Sequence, residues 1–558
     1  MTAYRRLADG LPVRKVGSAG GVPTDARAAR DWAGALPLAD RAETSRRLLA
    51  AIDGLNGLKL DAVSRLAVLE VLRGQVAEQL RHVEQQILGS SFPLPASKSE
   101  LGHLAQAFHA ALALGYRLVV VDLCAPSGSI RFLRGKRVLL ALERALYHNA
   151  AALAASYLVY LKPSPGIWAS LHDLARFSED TGLGERAVAD AMAGRDVSPS
   201  LVYRQAVLIA ICNPYRFAQR EQIDLIAASY ALGALCRVQK LPQPGAFLLA
   251  EGEDHGPGYL PSERKEQVAG GWSFDLAPLR AEIEKQADSG VQEIVLRASW
   301  GVQGRLSVDM ARRCMSAWGS AAERNHPRLA AGHHLDSIIG LSALHFYLAG
   351  EKDFESFMRQ AHGVGASLAA GDAAVWTGIS AEQSRPGVFR AKVLDQSLGG
   401  YQLEWDKRHA VRARVGELVG LSVPSDGAAE RDWMLAIIRW LRYDPDGGLD
   451  AGVELLARRA RAVGLRTPNG RDTVRAALRG IEFSHVRDSS DQALHVLAPA
   501  IVERHVGVLE VTRGVDPMAF EGETSVTWLS DMHMVEHTGD YLHLTGALGD
   551  NGRPRKKS

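Results

Sequence analysis

The sequence predicts an α+β multidomain chain: an N-terminal helical solenoid or bundle, then a small antiparallel β-barrel and a second, smaller β domain. Two patterns carry this reading. From about residue 27 to 300 apolar residues recur every three or four positions, as in Leu48, Leu49, Ile52 and Leu55 and then Val63, Leu66, Leu69 and Leu72, which is the period of amphipathic helices. From about residue 334 the runs instead alternate or cluster β-branched and aromatic residues between turn signals, which is the signature of strands. A chain of 558 residues has room for roughly three or four folding units at about 100 to 200 residues each.

Taken in order, residues 1–26 read as an extended or disordered N-terminus and 27–320 as the helical domain. Breakers such as Gly54 to Gly57, Pro93-Leu94-Pro95, Pro163 to Gly166 and Asn213-Pro214 punctuate it at distances suited to antiparallel helix pairs. Ala111 to Tyr116 and Tyr230 to Leu235 have the flavour of tetratricopeptide repeats, without a strict period of about 34 residues. Gly252 to Gly271 is rich in Gly, Pro and charge and reads as an exposed loop or linker. A final helix pair is predicted at about 275–288 and 305–320. The barrel is expected over 321–466, its five strand-like runs beginning at HLDSIIGLSALHFYL, GVFRAKVLDQSLGGYQLEW, VRARVGELVGLSV, WMLAIIRWLRYD and LDAGVELLARRA. Five further runs suggest a second β domain over 467–548, and NGRPRKKS reads as a basic tail over 549–558.

Composition excludes several classes. Lys and Arg number 65 against 63 Asp and Glu, so no global field draws in nucleic acid or acidic lipid, and nucleic acid is not an expected partner. Cys124, Cys212, Cys236 and Cys314 are far apart with no CxxC spacing, which predicts buried free thiols in a reducing compartment. The N-terminus has no apolar core of a secretory signal, and the apolar stretches 104–123 and 150–161 are interrupted or short for a bilayer. A cytoplasmic protein without membrane insertion is expected.

The informative motif is Asp395-Gln396-Ser397-Leu398-Gly399-Gly400, a D-x-S-x-x-G run between strand-like segments, preceded by Arg324-Asn325-His326-Pro327-Arg328, an R-x-x-x-R just before the first barrel strand. With these motifs in this order and strand context, the region of about 320–465 resembles the PilZ family, whose members bind cyclic di-GMP. The resemblance implies a PilZ-like barrel, with an insertion at about 350–387 that sets the two motifs further apart than is usual in the family. It implies that Arg324 and Arg328 make the main ligand contacts, and that Asp395, Ser397 and Gly400 complete the site.

The chemistry suits these residue types. An arginine fork bonds phosphate, or the O6 and N7 of guanine, bidentately, and its face stacks on a base. A carboxylate can accept from guanine N1–H and N2–H, a serine can bond a phosphate or base edge, and a glycine allows close backbone approach. Arg312, Arg313, Arg385 and Arg390 are reserve ligand-binding candidates, whose ordinary alternative is exposed charge. Taken alone, the arginine pair reads as solvated charge and the Asp–Gly run as an Asx-type turn; order and context give them their specificity.

His533 to His537 matches H-x-x-E-H, but its strand-and-turn setting lacks the helix that places both histidines on one face. His333 and His334 have no Cys or acidic partner at ligand spacing. No P-loop, nucleophile elbow or dinucleotide fingerprint occurs. The expected function is therefore a non-enzymatic receptor for cyclic di-GMP, with no metal or other cofactor, that relays binding to an unidentified protein partner through the helical domain. The rival is a ligand-independent protein-interaction scaffold with a degenerate barrel.

Overall fold

A computed structural model describes residues 2–17, 21–90, 92, 94–243, 245–250, 252–260, 271–297, 303–318, 329–361, 385–406, 411–424, 432–443, 448–467, 477–486, 494–502, 507–514, 526–538 and 541–548. The chain falls into two compact units, Met1–Arg324 and Asn325–Ser558.

The first unit is a helical bundle. Its helices are α1 (Ala3–Ala8), α2 (Ala26–Gly34), α3 (Arg41–Gly57), α4 (Ala62–Ile87), α5 (Ala96–Cys124), α6 (Gly135–Leu158), α7 (Ile167–Asp180), α8 (Pro199–Ile211), α9 (Gln219–Leu235), α10 (Ala277–Ala287) and α11 (Val308–Trp318). Asp25, Asp40, Asp61 and Ser198 accept backbone N–H groups at the starts of α2, α3, α4 and α8, satisfying donors that a helix start leaves open. Three consecutive helices of 26, 29 and 24 residues form the middle, so this is a bundle and not an array of short helix pairs. Ala111 to Tyr116, with its repeat-like flavour, lies inside α5. That helix is the one described helix long and apolar enough to cross a membrane, and 72% of the qualifying window is buried inside the unit, where it serves as a core helix.

Strands interrupt the helical pattern, which corrects the all-helical expectation for this half. β1 (Val188–Asp190) and β2 (Arg195–Val197) form a hairpin; β3 (Arg237–Gln239), β4 (Phe247–Leu249), β5 (Gly258–Tyr259) and β6 (Trp272–Asp275) form a four-stranded sheet; and β7 (Glu293–Arg297) pairs with β8 (Gln303–Ser307) between α10 and α11. The expected linker at 252–271 is also corrected in its described part. Asp254 accepts N–H bonds from Gly166, Trp168 and Ala169 at the start of α7, so the segment is tied to the bundle. All four cysteines are buried free thiols.

The second unit holds two barrels. Its strands are β9 (Leu329–Ala330), β10 (His334–Ile339), β11 (Phe389–Ser397), β12 (Gly400–Trp405), β13 (Leu418–Ser422), β14 (Met434–Tyr443), β15 (Leu449–Ala457), β16 (Ala460–Arg466), β17 (Leu478–Phe483), β18 (Leu494–Pro499), β19 (Val508–Arg513), β20 (Val526–His537) and β21 (Tyr541–Leu548), with helices α12 (Leu341–Leu348) and α13 (Phe354–Ala361). The first barrel runs β10-β13-β14-β15-β12-β11 and closes by pairing β10 with β11. The count is six strands, not five, because GVFRAKVLDQSLGGYQLEW is a whole hairpin. The run HLDSIIGLSALHFYL is half strand and half helix: Gly340, at a φ of 93°, turns β10 into α12.

The second barrel is β16-β17-β18-β21-β20-β19, closed by β16 against β19. It therefore starts at Ala460, inside the span assigned to the first β domain, because β15 passes into β16 with only Arg458 and Arg459 between them. The two barrels share a core. Ile338, Leu344, Leu435 and Ile437 cluster with Ile481, Phe483, Leu497 and Tyr541, so apolar burial holds them as one body.

Candidate ligand-binding site

The D-x-S-x-x-G run is the tip of the β11–β12 hairpin. Asp395 lies opposite Gln402, Gln396 opposite Tyr401 and Ser397 opposite Gly400, so Leu398 and Gly399 form a two-residue turn. Ser397 Oγ donates to the Gly400 carbonyl at 3.4 Å. A Cβ built on Gly400 would overlap the carbonyl oxygen of Val453, which is why glycine is required where β12 passes so close to β15. Gly399 O accepts from Leu455 N at 2.9 Å, pinning the turn to the same strand.

A bulge at Leu394 shapes the other flank. The β11–β12 register shifts between Val393 and Asp395, and Leu394 O accepts from Ala331 N at 3.0 Å. The bulge bends the strand so that β9 as well as β10 runs along β11. Ala330 lies opposite Asp395 and Leu329 opposite Gln396, a pairing that heads toward Ser397.

Across the sheet, Ala330, Asp395, Gln402, Gly452 and Trp440 form one row. A Cβ on Gly452 would overlap the Trp440 indole, so the half-buried ring lies over that glycine and presents a flat aromatic surface. Gln402 donates to Asp450 at 2.9 Å, and Arg442 bonds the other oxygen of Asp450 at 2.7 Å. Beside Gly400, Glu454 accepts from Arg439 at 2.7 Å, and Arg439 reaches Glu536 of the second barrel at 2.6 Å. The two carboxylates raise the pKa of Arg439 against the opposing effect of its burial.

Of the sequence-predicted residues, the hairpin brings Asp395, Ser397 and Gly400 together. Arg324 and Arg328 lie outside the described residues; Leu329, opposite Gln396, is the next residue in sequence after Arg328. Arg390 is on the same strand as Asp395, with its guanidinium 3.3 Å from the buried Asp336 carboxylate. Arg385 pairs with Glu351 beside Tyr347. Arg312 is exposed on α11 of the first unit, and its neighbour Arg313 pairs with Glu221 and with Asp309. Part of the expected insertion is α13, where Phe357 packs against His345; its residues 362–384 lie outside the described ones.

Sequence reasoning missed Trp440, Gln402 and Arg439. The outward Trp and Arg within WMLAIIRWLR were the available signal, but which residue faces Gly452 depends on pairing between distant strands. Among the described residues, no group of three or more His, Cys, Asp or Glu side chains could hold a metal ion. His533 to His537 lies on strand β20.

Comparison with known proteins defines the class first: this is a PilZ-domain protein, with the model of a middle PilZ domain matching residues 246–387 and 377–462. That match begins within the four-stranded sheet of the first unit, so the family's domain reaches further upstream than the barrel. A second model, the N-terminal domain of the cyclic-di-GMP receptor FimW, matches residues 27–243, and the PilZ model is that family's middle domain. The chain belongs to the FimW family of cyclic-di-GMP receptors. The cyclic-di-GMP receptor FimW of Pseudomonas aeruginosa is 27% identical over 483 residues, covering 78% of this chain and 77% of that protein. No solved structure matches the chain.

Proposed function

We propose that this chain is a receptor for cyclic di-GMP that binds the messenger with Arg324 and Arg328 on one side and Asp395, Ser397 and Gly400 on the other, and relays binding to a protein partner. The observation that carries the reading is the β9–β11 pairing, which sets the residue following the R-x-x-x-R motif opposite Gln396 in the D-x-S-x-x-G motif. The strand that directly follows the R-x-x-x-R motif, about seventy residues before the hairpin in sequence, thus runs beside the D-x-S-x-x-G motif, which supports a shared site. Arginine forks would take the phosphates and guanine O6/N7 edges, Asp395 would accept from a guanine Watson–Crick edge, and Trp440 offers a stacking surface.

The boundary between the two units falls at Arg324, within the R-x-x-x-R motif. A dianion bound at that connector would bias the arrangement of the units, and coupling of about 1 to 3 kcal/mol is enough for a useful shift. Isothermal titration of cyclic di-GMP tests the binding. Saturable heat, lost in Arg324→Ala/Arg328→Ala and absent with GTP, is the expected result. No binding by the intact chain would leave the scaffold reading in its place. The relay has its own test in small-angle scattering: profiles identical with and without saturating messenger would contradict it.

A further inference from the structure

The helical unit contains a cavity of about 410 Å³ between α4, α5, α6, α8 and α9 that the reading above does not use. Its size is that of a small-molecule site. Much of the wall is apolar, built from residues such as Val83, Ile87, Ala154, Leu158 and Ile226. The polar side chains on that wall include His109, Tyr147, Arg195 and Tyr230, together with Gln205, which donates to Ser229, and Gln219, which is bonded to Leu158 O and Gly89 N–H.

Hydrogen bonding sets the polarity of His109. Arg73 is held by two bonds to Asp190, at 2.8 and 2.7 Å, and its Nε donates to His148 Nε2 at 2.9 Å. Arginine can only donate, so His148 Nε2 accepts, and a neutral His148 carries its proton on Nδ1. That Nδ1 lies 2.9 Å from His109 Nδ1, which must then accept and leave the His109 proton on Nε2. Both rings are buried, and burial foremost pushes His109 down to about 4 and His148 well below the ordinary range, so both are neutral near pH 7. His109 Nε2–H is therefore a donor without a partner among the described residues.

The neighbouring groups extend this donor surface. The Tyr147 ring lies 5.2 Å from that of His148. Arg195 stands over the Tyr230 ring at 4.2 Å and makes no ion pair among the described residues. Glu84, the one carboxylate on the described wall, is exposed to solvent.

The geometry points to this cavity as a binding site for a small amphipathic anion, an unbranched alkyl carboxylate whose chain lies along Ala154, Leu158 and Ile226 and whose head meets His109 Nε2–H and Arg195. Arg195 Nε donates to Ala193 O at 3.3 Å, but its Nη1 is buried without a partner among the described residues; that donor and His109 Nε2–H select an accepting head, and the apolar wall selects the chain. At roughly 30 Å³ per heavy atom, 410 Å³ takes about a dozen heavy atoms, the size of decanoate.

The test is calorimetric titration of decanoate, below its micelle concentration, into the full-length chain. Saturable binding of one decanoate per chain is expected, with no heat from decylamine. Ala154→Phe should fill the cavity and Arg195→Gln should remove the cation; each is expected to weaken binding about tenfold or more, the scale of one charge-assisted contact. Circular dichroism checks that both variants fold. Absence of saturable binding, equal binding of decylamine, or an affinity unchanged in folded Arg195→Gln would overturn the assignment.

Discussion

The two six-stranded barrels follow the same antiparallel plan yet differ at their hairpins and in what their strands carry. The first has a bulge at Leu394, a two-residue turn at Leu398–Gly399 and a glycine whose backbone nearly touches the next strand. The second has an apolar interior of Val463, Val496, Leu509 and Leu544 among others, with a buried His495–His543 pair bonded at 2.8 Å; R-x-x-x-R spacing recurs in its sequence at Arg471, Arg475 and Arg479, but the D-x-S-x-x-G motif does not. Closure alone thus makes a stable body with no free edge. The candidate site comes from local departures from regularity on the first barrel.

The strongest way to break this comparison is to regularise the hairpin. Gly400→Val forces a branched side chain into the Val453 carbonyl and is expected to cost about 3 kcal/mol and to abolish messenger binding. Gly507→Ala, at a second-barrel position where a Cβ meets nothing within 4 Å, should leave both unchanged. Thermal melts and titration of the pair check this, and equal losses would remove the distinction between the barrels.

The next effect concerns how the second barrel is held. His345 of α12 is buried against β16 with Nε2 3.3 Å from Val463 O, and burial pushes its pKa down to about 4. A buried base with a lowered folded pKa contributes fully above its unfolded value near 6.5. Between pH 6.5 and about 4 the unfolded chain binds more protons, so stability falls as pH falls, by up to about 3 kcal/mol. Denaturant titration across that window should show this slope, and His345→Leu should reduce it by this residue's share, leaving the part that the buried His109 and His148 contribute in the first unit. An unchanged slope would mean that other groups control it.

A smaller effect is expected inside the first barrel. Trp405 Nε1 donates to Ser337 Oγ at 2.8 Å, and that hydroxyl donates to Phe389 O at 2.7 Å. Ser337→Ala strands the buried indole N–H and should cost about 1 to 3 kcal/mol. A neutral result in chemical unfolding would show that the barrel relaxes around the loss.

What the sequence made legible follows the range of the interactions. The D-x-S-x-x-G turn could be read because its chemistry is local: a short polar residue, a hydroxyl and two glycines in a tight hairpin. The helical half was legible through its period, although strands of two to five residues inside it are too short to carry one. α12 was hidden because LSALHFYL is apolar on nearly every side, so only its length and the preceding Gly340 separate it from a buried strand. Gly252 to Gly271 looked like a linker because Asp254 caps a helix some ninety residues upstream, a contact with no local trace. The Asp395, Gln402, Gly452 and Trp440 row likewise depends on strand pairings between distant segments, which composition does not encode.

The central claim is that the messenger binds at the first barrel's irregular hairpin. The most direct measurement is calorimetric titration of cyclic di-GMP into the intact chain, into Asp395→Ala/Ser397→Ala, and into Arg458→Ala/Arg461→Ala, which removes exposed arginines at the entry to the second barrel. The account predicts binding that is lost in the first variant and kept in the second; binding kept in the first and lost in the second would contradict it.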